Sequence, residues 1–154
     1  MLRVLMCCHG NICRSTMSQF VLQDMINKKG LESMFSISSR ATSTEEIGNP
    51  PHRGTVRKMQ DVGIPVIPHR ATQITMKDYN EADYIIGMDE ANMRNLSKML
   101  KGDPDKKLYK LLAFAGSNRD IADPWYTGDF DATYNDAVTG CNAFIEYLKN
   151  NLII

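Results

Sequence analysis

Residues 3–15 read RVLMCCHGNICRS, and the fold follows from how that stretch is divided. Arg3 to Cys8 is apolar and β-prone, and Gly10 and Asn11 then break the run. Met17, Phe20, Val21 and Met25 recur at i, i+3, i+4 and i+8, one face of a helix that ends on the basic Asn27-Lys28-Lys29 before Gly30. A strand, a tight turn and a helix therefore come first. Three further β-prone runs, MFSISS (34–39), YIIGM (84–88) and KLYKLLAF (107–114), are separated by helix-length segments. That alternation specifies an α/β fold, a three-layer sandwich with a parallel sheet between helices. A second helix is expected from about His52 to Val62, stopped by Gly63, and Asp89 stands where it would cap the helix beginning EANMRNL. Near the C-terminus Ala137, Cys141, Phe144, Ile145 and Leu148 share one helical stripe, so Cys141 reads as core. The polar stretches near 40–52 and 115–131 read as loops, and no repeat or low-complexity tract is present.

The 154 residues, 43% apolar and with a formal charge of +0, suit one domain over residues 1–154 and offer no global field toward nucleic acid or a membrane surface. Any bound anion has to be held locally. Cys7, Cys8, Cys13 and Cys141, three crowded and one distant, make a poor disulfide framework, which points to a reducing, cytoplasmic setting. MLRVLMCC is interrupted by Arg3 too early for a signal peptide, and no apolar run approaches the ~20 residues that span a bilayer.

The nonapeptide from Cys7 to Ser15 sits on the strand-to-helix turn, at the carboxyl end of a strand, where open α/β sheets place their ligands. A helix N-terminus there offers unpaired N–H groups and the positive end of a dipole. Five residues separate Cys8 from Arg14, and two of them, Gly10 and Asn11, tolerate left-handed backbone angles best, so the loop can curl with its N–H groups inward. Arg14 adds a planar fork for two oxygens of a phosphate-like anion, and a cysteine beside that potential is suited to act as a thiolate. Adjacent Cys7 and Cys8, without a second cysteine or histidine pair at ligand spacing, do not make a metal site. Neither Gly-x4-Gly-Lys-Ser/Thr nor Gly-x-Gly-x2-Gly occurs, which counts against a nucleotide cradle.

The sequence closely resembles the low molecular weight protein tyrosine phosphatases, whose N-terminal signature is a Cys-x5-Arg-Ser loop with Gly-Asn in its middle, as in CHGNICRS. The likeness continues in order through SRATSTEEIGNPPHRG (39–54), HRATQIT (69–75), KDYNEADYIIGMDEAN (77–92) and DPWY (123–126). The resemblance implies a four-stranded parallel sheet flanked by helices, a nucleophile at Cys8 and a general acid at Asp123. It implies phosphate binding by Arg14 and the loop residues His9, Gly10, Asn11, Ile12, Cys13 and Ser15. It gives Ser15 a part in stabilising the thiolate, and has Asn11 hold the loop through neighbours that include Ser39 and His69. The implied reaction is hydrolysis of phosphotyrosine and aryl phosphate monoesters through a cysteinyl phosphate, with no cofactor and no metal. The implied partners are a tyrosine-phosphorylated protein or a small aryl phosphate, with inorganic phosphate as product and inhibitor. No nucleic-acid or membrane partner is expected, and the chain is expected to be a monomer or weak dimer.

Chemistry supports Asp123 as well, because expelling a phenolate needs a proton donor over the leaving oxygen. Pro124 stiffens that loop, and the rings of Trp125 and Tyr126 could flank a phenyl group. Asp78, Asp83 and Asp89 read as caps and solvated positions. Three departures from the family pattern stand out. Thr16 replaces a common proline and loosens the first helical turn, His9 replaces an aliphatic residue, and Glu45 with Glu46 replaces an aromatic wall residue. The pocket wall of His9, Glu45, Trp125 and Tyr126 is therefore more polar, which bears on peptide preference. Arsenate reduction on the same fold would need a cysteine relay, and none lies between Cys13 and Cys141. A non-catalytic phosphotyrosine-binding module would need neither Cys8 nor Asp123. Cys13, five residues from Cys8, is expected to trap an oxidised Cys8 as a disulfide, with Cys7 a bystander.

Overall fold

The computed structural model describes residues 1–154. The opening stretch forms β1 (Leu2–Cys8), second in a four-stranded sheet of order β2-β1-β3-β4 whose pairings are all parallel. The other strands are β2 (Phe35–Ala41), β3 (Tyr84–Gly87) and β4 (Leu108–Lys110). Val4 opposes Ile37 on one side and Tyr84 on the other. The chain runs from β1 outward to β2, then returns across β1 to β3. Loops leaving the carboxyl ends of β1 and β3 therefore diverge, and the crevice between them is the ligand position of an open α/β sheet.

Period-two alternation along β1 divides two cores. Val4, Met6 and Cys8 face the larger one, with Phe20 and Leu22 of α1 (Arg14–Lys28), Met59 of α2 (Arg53–Val62) and Phe144 of α6 (Phe130–Asn150). Leu5 and Cys7 face the smaller one, with Tyr79 of α3 (Met76–Glu81), Ile85 of β3 and Leu96 of α4 (Glu90–Met99). Each large apolar side chain closed off there contributes about 1.5–3 kcal/mol. Helices thus cover both faces, as the alternating pattern requires. The C-terminal stripe Ala137, Cys141, Phe144, Ile145 and Leu148 is fully buried on α6.

The fourth strand is shorter than the sequence pattern suggests. Only Leu108–Lys110 pairs, and Leu111–Ala115 turns into a 3₁₀ helix ending at left-handed Gly116. The cause is long-range: Leu111 is driven into the core against Gly140 of α6, where any side chain would collide with it. Two stretches without an expected helix also form short ones. α3 starts on a capping box, Thr75 with Asp78, and α5 (Pro124–Thr127) starts on the Asp123 cap with proline in its first turn.

Candidate active site

The loop joining β1 to α1 is exposed at His9, buried from Asn11 onward, and braced. Cys8 is 3% exposed, and its Sγ accepts the Asn11 backbone N–H at 3.3 Å and lies 3.1 Å from Ser15 Oγ. Ser15 Oγ already accepts from Asn11 Nδ2 at 2.8 Å, so its own proton is free to point at the sulfur. Two donors therefore converge where a negative sulfur would sit.

Of the two residues suited to a left-handed turn, only Asn11 takes it, with φ at 61°. Gly10 keeps out of that region, and a Cβ there would make only ordinary contact with Glu46 Cγ at 3.4 Å. The Asn11 conformation is held by three contacts. Nδ2 donates to Ser15, Oδ1 accepts the Thr72 N–H at 3.2 Å, and the carbonyl accepts from His69 Nε2 at 2.9 Å. Burial, and secondarily Arg40, lowers the pKa of His69 against the opposite pull of the Asn11 carbonyl, which favours a neutral ring with its proton on Nε2. Ser39 does not join this set: its hydroxyl donates to Gln19 Oε1 at 2.6 Å, and Thr72 takes the expected place. Thr16 fastens the first helical turn, because its Oγ1 donates to the Cys13 carbonyl at 2.9 Å. The proline it replaces is compensated locally.

Side chains cap the N-termini of five helices: His52 on α2, Thr75 on α3, Asp89 on α4, Asp123 on α5 and Asp129 on α6. Cys13 provides no such cap to α1. The first N–H groups of α1 remain open for an anion.

Arg14 is 3% exposed and its orientation is fixed. Nη1 donates to Asp89 Oδ2 at 2.6 Å and to the Ile121 carbonyl at 2.9 Å, while Nη2 reaches Asp123 Oδ2 at 3.5 Å. Nε and Nη2 are left to form the fork. Burial opposes the charge, but Cys8, Asp89 and Asp123 outweigh it and raise the Arg14 pKa above its ordinary value. Asp89 does two tasks at once, since Oδ1 also accepts the Asn92 N–H at 2.7 Å. Sequence reading found the cap and missed the arginine partner. The available signal was its place just after β3.

A pocket of about 100 Å³ opens over Cys8. His9, Gly10, Ile12 and Cys13 line it from the loop, Glu45 and Glu46 from the segment after β2, and Asp123, Trp125 and Tyr126 from the start of α5. Asn11, Arg14 and Ser15 lie buried behind that lining. Asp123 Oδ1 accepts the Trp125 N–H at 3.0 Å, while the rings are 56% (Trp125) and 83% (Tyr126) exposed. His9 Nε2 meets Glu45 Oε2 at 2.9 Å, and Asn49 Nδ2 donates to Glu46 Oε2 at 2.6 Å. Two of the three departures from the family pattern, His9 and Glu45, thus pair with each other across the mouth. All four cysteines are free thiols. Burial, helped by Cys8, pushes the Cys13 pKa up to about 12, and burial also raises Cys7 and Cys141. No group of three or more His, Cys, Asp or Glu side chains is placed to hold a metal ion.

A family model described as low molecular weight phosphotyrosine protein phosphatase matches residues 3–153. The low molecular weight protein-tyrosine-phosphatase YfkJ of Bacillus subtilis is 35% identical over 151 residues, 97% of each chain. Its crystal structure matches with a TM-score of 0.94, covering 98% of this chain and 96% of that one. The low molecular weight phosphotyrosine protein phosphatase of Gallus gallus is 38% identical over 148 residues, 93% of each chain. The drosophila arginine phosphatase DARP, 24% identical with a TM-score of 0.86 over 97% of this chain and 98% of that one, shares the fold.

Proposed function

The chain belongs to the low molecular weight phosphotyrosine protein phosphatase family, and from that premise we propose that its one domain hydrolyses phosphotyrosine and small aryl phosphates on Cys8. The Cys8 thiolate attacks phosphorus in line, and the bond to the phenolic oxygen breaks. Asp123 gives that oxygen its proton, leaving a cysteinyl phosphate and a neutral phenol. Water then attacks phosphorus, Asp123 takes its proton, and Cys8 leaves as thiolate with inorganic phosphate. Throughout, the loop and first-turn N–H groups of α1, with Nε and Nη2 of Arg14, hold the equatorial oxygens. Preorganised donors supply this stabilisation at no reorganisation cost. Ser15 steadies the departing sulfur, Asn11 keeps the loop curled, and Trp125 and Tyr126 flank the phenyl ring.

One observation carries this reading: a buried sulfur with two convergent donors lies beneath an uncapped helix, and a carboxylic acid shares its pocket. Arsenate reduction is less favoured, because Cys7 faces the other core and Cys141 is packed against the Ser18 carbonyl at 3.7 Å. Only Cys13 shares the pocket with Cys8. That placement suits a protective role. Peroxide would convert Cys8 to a sulfenic acid; the Cys13 thiol attacks that sulfur, the S–O bond breaks and the hydroxyl leaves as water with the thiol proton, giving a disulfide reversible by dithiol. Four free thiols suit a reducing compartment, and no helix is long and apolar enough to cross a membrane. The test is turnover of a phosphotyrosine peptide beside phosphoserine and phosphoarginine peptides. Phosphotyrosine should be hydrolysed at least ~100-fold faster, a ratio that an oriented leaving-group acid and aryl contacts can supply. Faster hydrolysis of either other peptide would refute the reading.

A further inference from the structure

Beside the catalytic pocket lies a much larger groove, of about 660 Å³, between α2 and the start of α6. The two share a wall. Trp125 lines the pocket and His52 lines the groove, and their rings meet edge-on with centroids 5.7 Å apart. His52 stacks in turn on Phe130 at 5.3 Å, a ring seated where a side chain at Gly54 would collide. The groove is tied to the phosphate loop: the His52 N–H donates to the Ile12 carbonyl at 2.8 Å and Thr55 Oγ1 to the same oxygen at 3.4 Å. A peptide held in the groove is therefore held in fixed relation to Cys8.

The charges there are unevenly used. Lys58 Nζ pairs with Asp131 Oδ1 at 2.7 Å and lies over the Tyr134 ring, with Asp61 also acting on it. Asp129 is occupied in capping α6, accepting the Ala132 N–H at 2.9 Å. Arg53 and Arg57 are exposed and take part in none of the ion pairs of the chain. One turn apart on α2, they are separated along the axis by about 6 Å, close to the ~7 Å between alternate side chains of an extended strand. The carboxylates Glu45 and Glu46 line the catalytic pocket itself and are absent from the groove. The surroundings of the phosphotyrosine are thus acidic at the pocket, while the groove, lined by three basic side chains and three aspartates, keeps two guanidinium groups and the Asp61 carboxylate outside any ion pair.

We propose that this groove seats an acidic segment flanking the phosphotyrosine of a protein substrate, with Arg53 and Arg57 as the residues that select it. The inference rests on the phosphotyrosine reading above and adds which sequences around the phosphotyrosine are preferred. Carboxylates two residues apart on an extended peptide would each face one guanidinium. From Trp125 the groove is about two extended residues away, so the selected acids lie within a few positions of the phosphotyrosine.

The experiment compares kcat/KM for three phosphotyrosine peptides of equal length, with acidic, neutral or basic flanks on both sides, and for p-nitrophenyl phosphate. Wild type should prefer the acidic over the neutral peptide by about 3- to 10-fold, the size expected for two exposed charge pairs, and the preference should shrink with added salt. The double variant Arg53→Ala/Arg57→Ala should lose the preference, and Arg53→Glu/Arg57→Glu should reverse it toward the basic peptide. Arg53→Lys/Arg57→Lys should keep part of it. Turnover of p-nitrophenyl phosphate should stay within about 2-fold in all three, because an exposed groove side chain touches no reacting atom. An acidic-to-neutral ratio unchanged by the alanine pair overturns the proposal and leaves the phosphotyrosine reading intact. So does an equal loss on p-nitrophenyl phosphate, which would make the arginines supports of the catalytic loop. If wild type turns over p-nitrophenyl phosphate but none of the peptides, the phosphotyrosine reading fails and this inference falls with it.

Discussion

Residues 8–15 and residues 123–126 serve the same pocket but are held in opposite ways. The first segment is buried except at His9 and Gly10 on the mouth, and its one strained residue, Asn11, is tied by Ser15, Thr72 and His69. The second is a four-residue helix whose rings stand largely in solvent and whose acid is held by one N–H and a long contact to Arg14. An anion cradle must have its dipoles set before charge develops, which demands rigidity. A proton donor must follow the leaving oxygen of varied substrates, which a loosely seated carboxyl can do. The comparison predicts large, uniform effects from the first segment and smaller, substrate-dependent effects from the second.

The largest effect should come from the sulfur. Cys8→Ser should remove turnover to background while inorganic phosphate still binds, read by calorimetry, because the N–H groups and Arg14 remain. Arg14→Lys should lose both, since an ammonium cannot reproduce the fork. Retained phosphate affinity in Arg14→Lys would show that the backbone alone makes the cradle.

Asp123→Asn should follow, slowing phenyl phosphate hydrolysis by about 10²- to 10⁴-fold. The loss should be much smaller for p-nitrophenyl phosphate, whose leaving group needs little protonation. An equal loss for both would take the first proton transfer away from Asp123.

Asp89→Asn tests the brace behind the rigid segment. The amide can still accept the Asn92 N–H, so the thermal midpoint should barely move. Releasing Nη1 of Arg14 should lower kcat/KM by about 10- to 100-fold, the scale of a misplaced catalytic group. The loss should be the same for good and poor leaving groups, unlike that of Asp123→Asn.

Trp125→Ala should give the mildest catalytic effect, a rise in KM for aryl phosphates of about 2- to 10-fold with kcat nearly unchanged, the size of one exposed aromatic contact. His69 sets a smaller effect on stability. Its folded pKa lies below the ordinary 6.5, so as pH falls through 6.5 the unfolded chain takes up the proton first. The stability His69 contributes is full above that pH and declines toward the folded pKa. His69→Gln, which keeps a donor without the titration, should flatten the fall of the thermal midpoint between neutral pH and about 5.

Sequence alone determined what depends on near neighbours. The alternation of β-prone runs with helical periods, the His52, Asp89 and Gly63 helix boundaries, and the Cys8-to-Ser15 loop are relations within a few residues, where backbone geometry and side-chain chemistry act directly. The uncapped start of α1 is of the same kind, since Cys13 has no oxygen with which to close it. Tertiary structure decided what depends on strand order. Placing β3 beside β1 brings Asp89 to Arg14 across 75 positions, and the bridge of Gln73 to Ala41 at the end of β2 brings Thr72 to Asn11 across 61. Docking α6 on the sheet ends β4 at Lys110, because Leu111 must enter the space above Gly140. It also opens the groove between Arg53 and Phe130. No local pattern carries these pairings, because each is fixed by which apolar faces can be buried together, and that is a property of the whole chain.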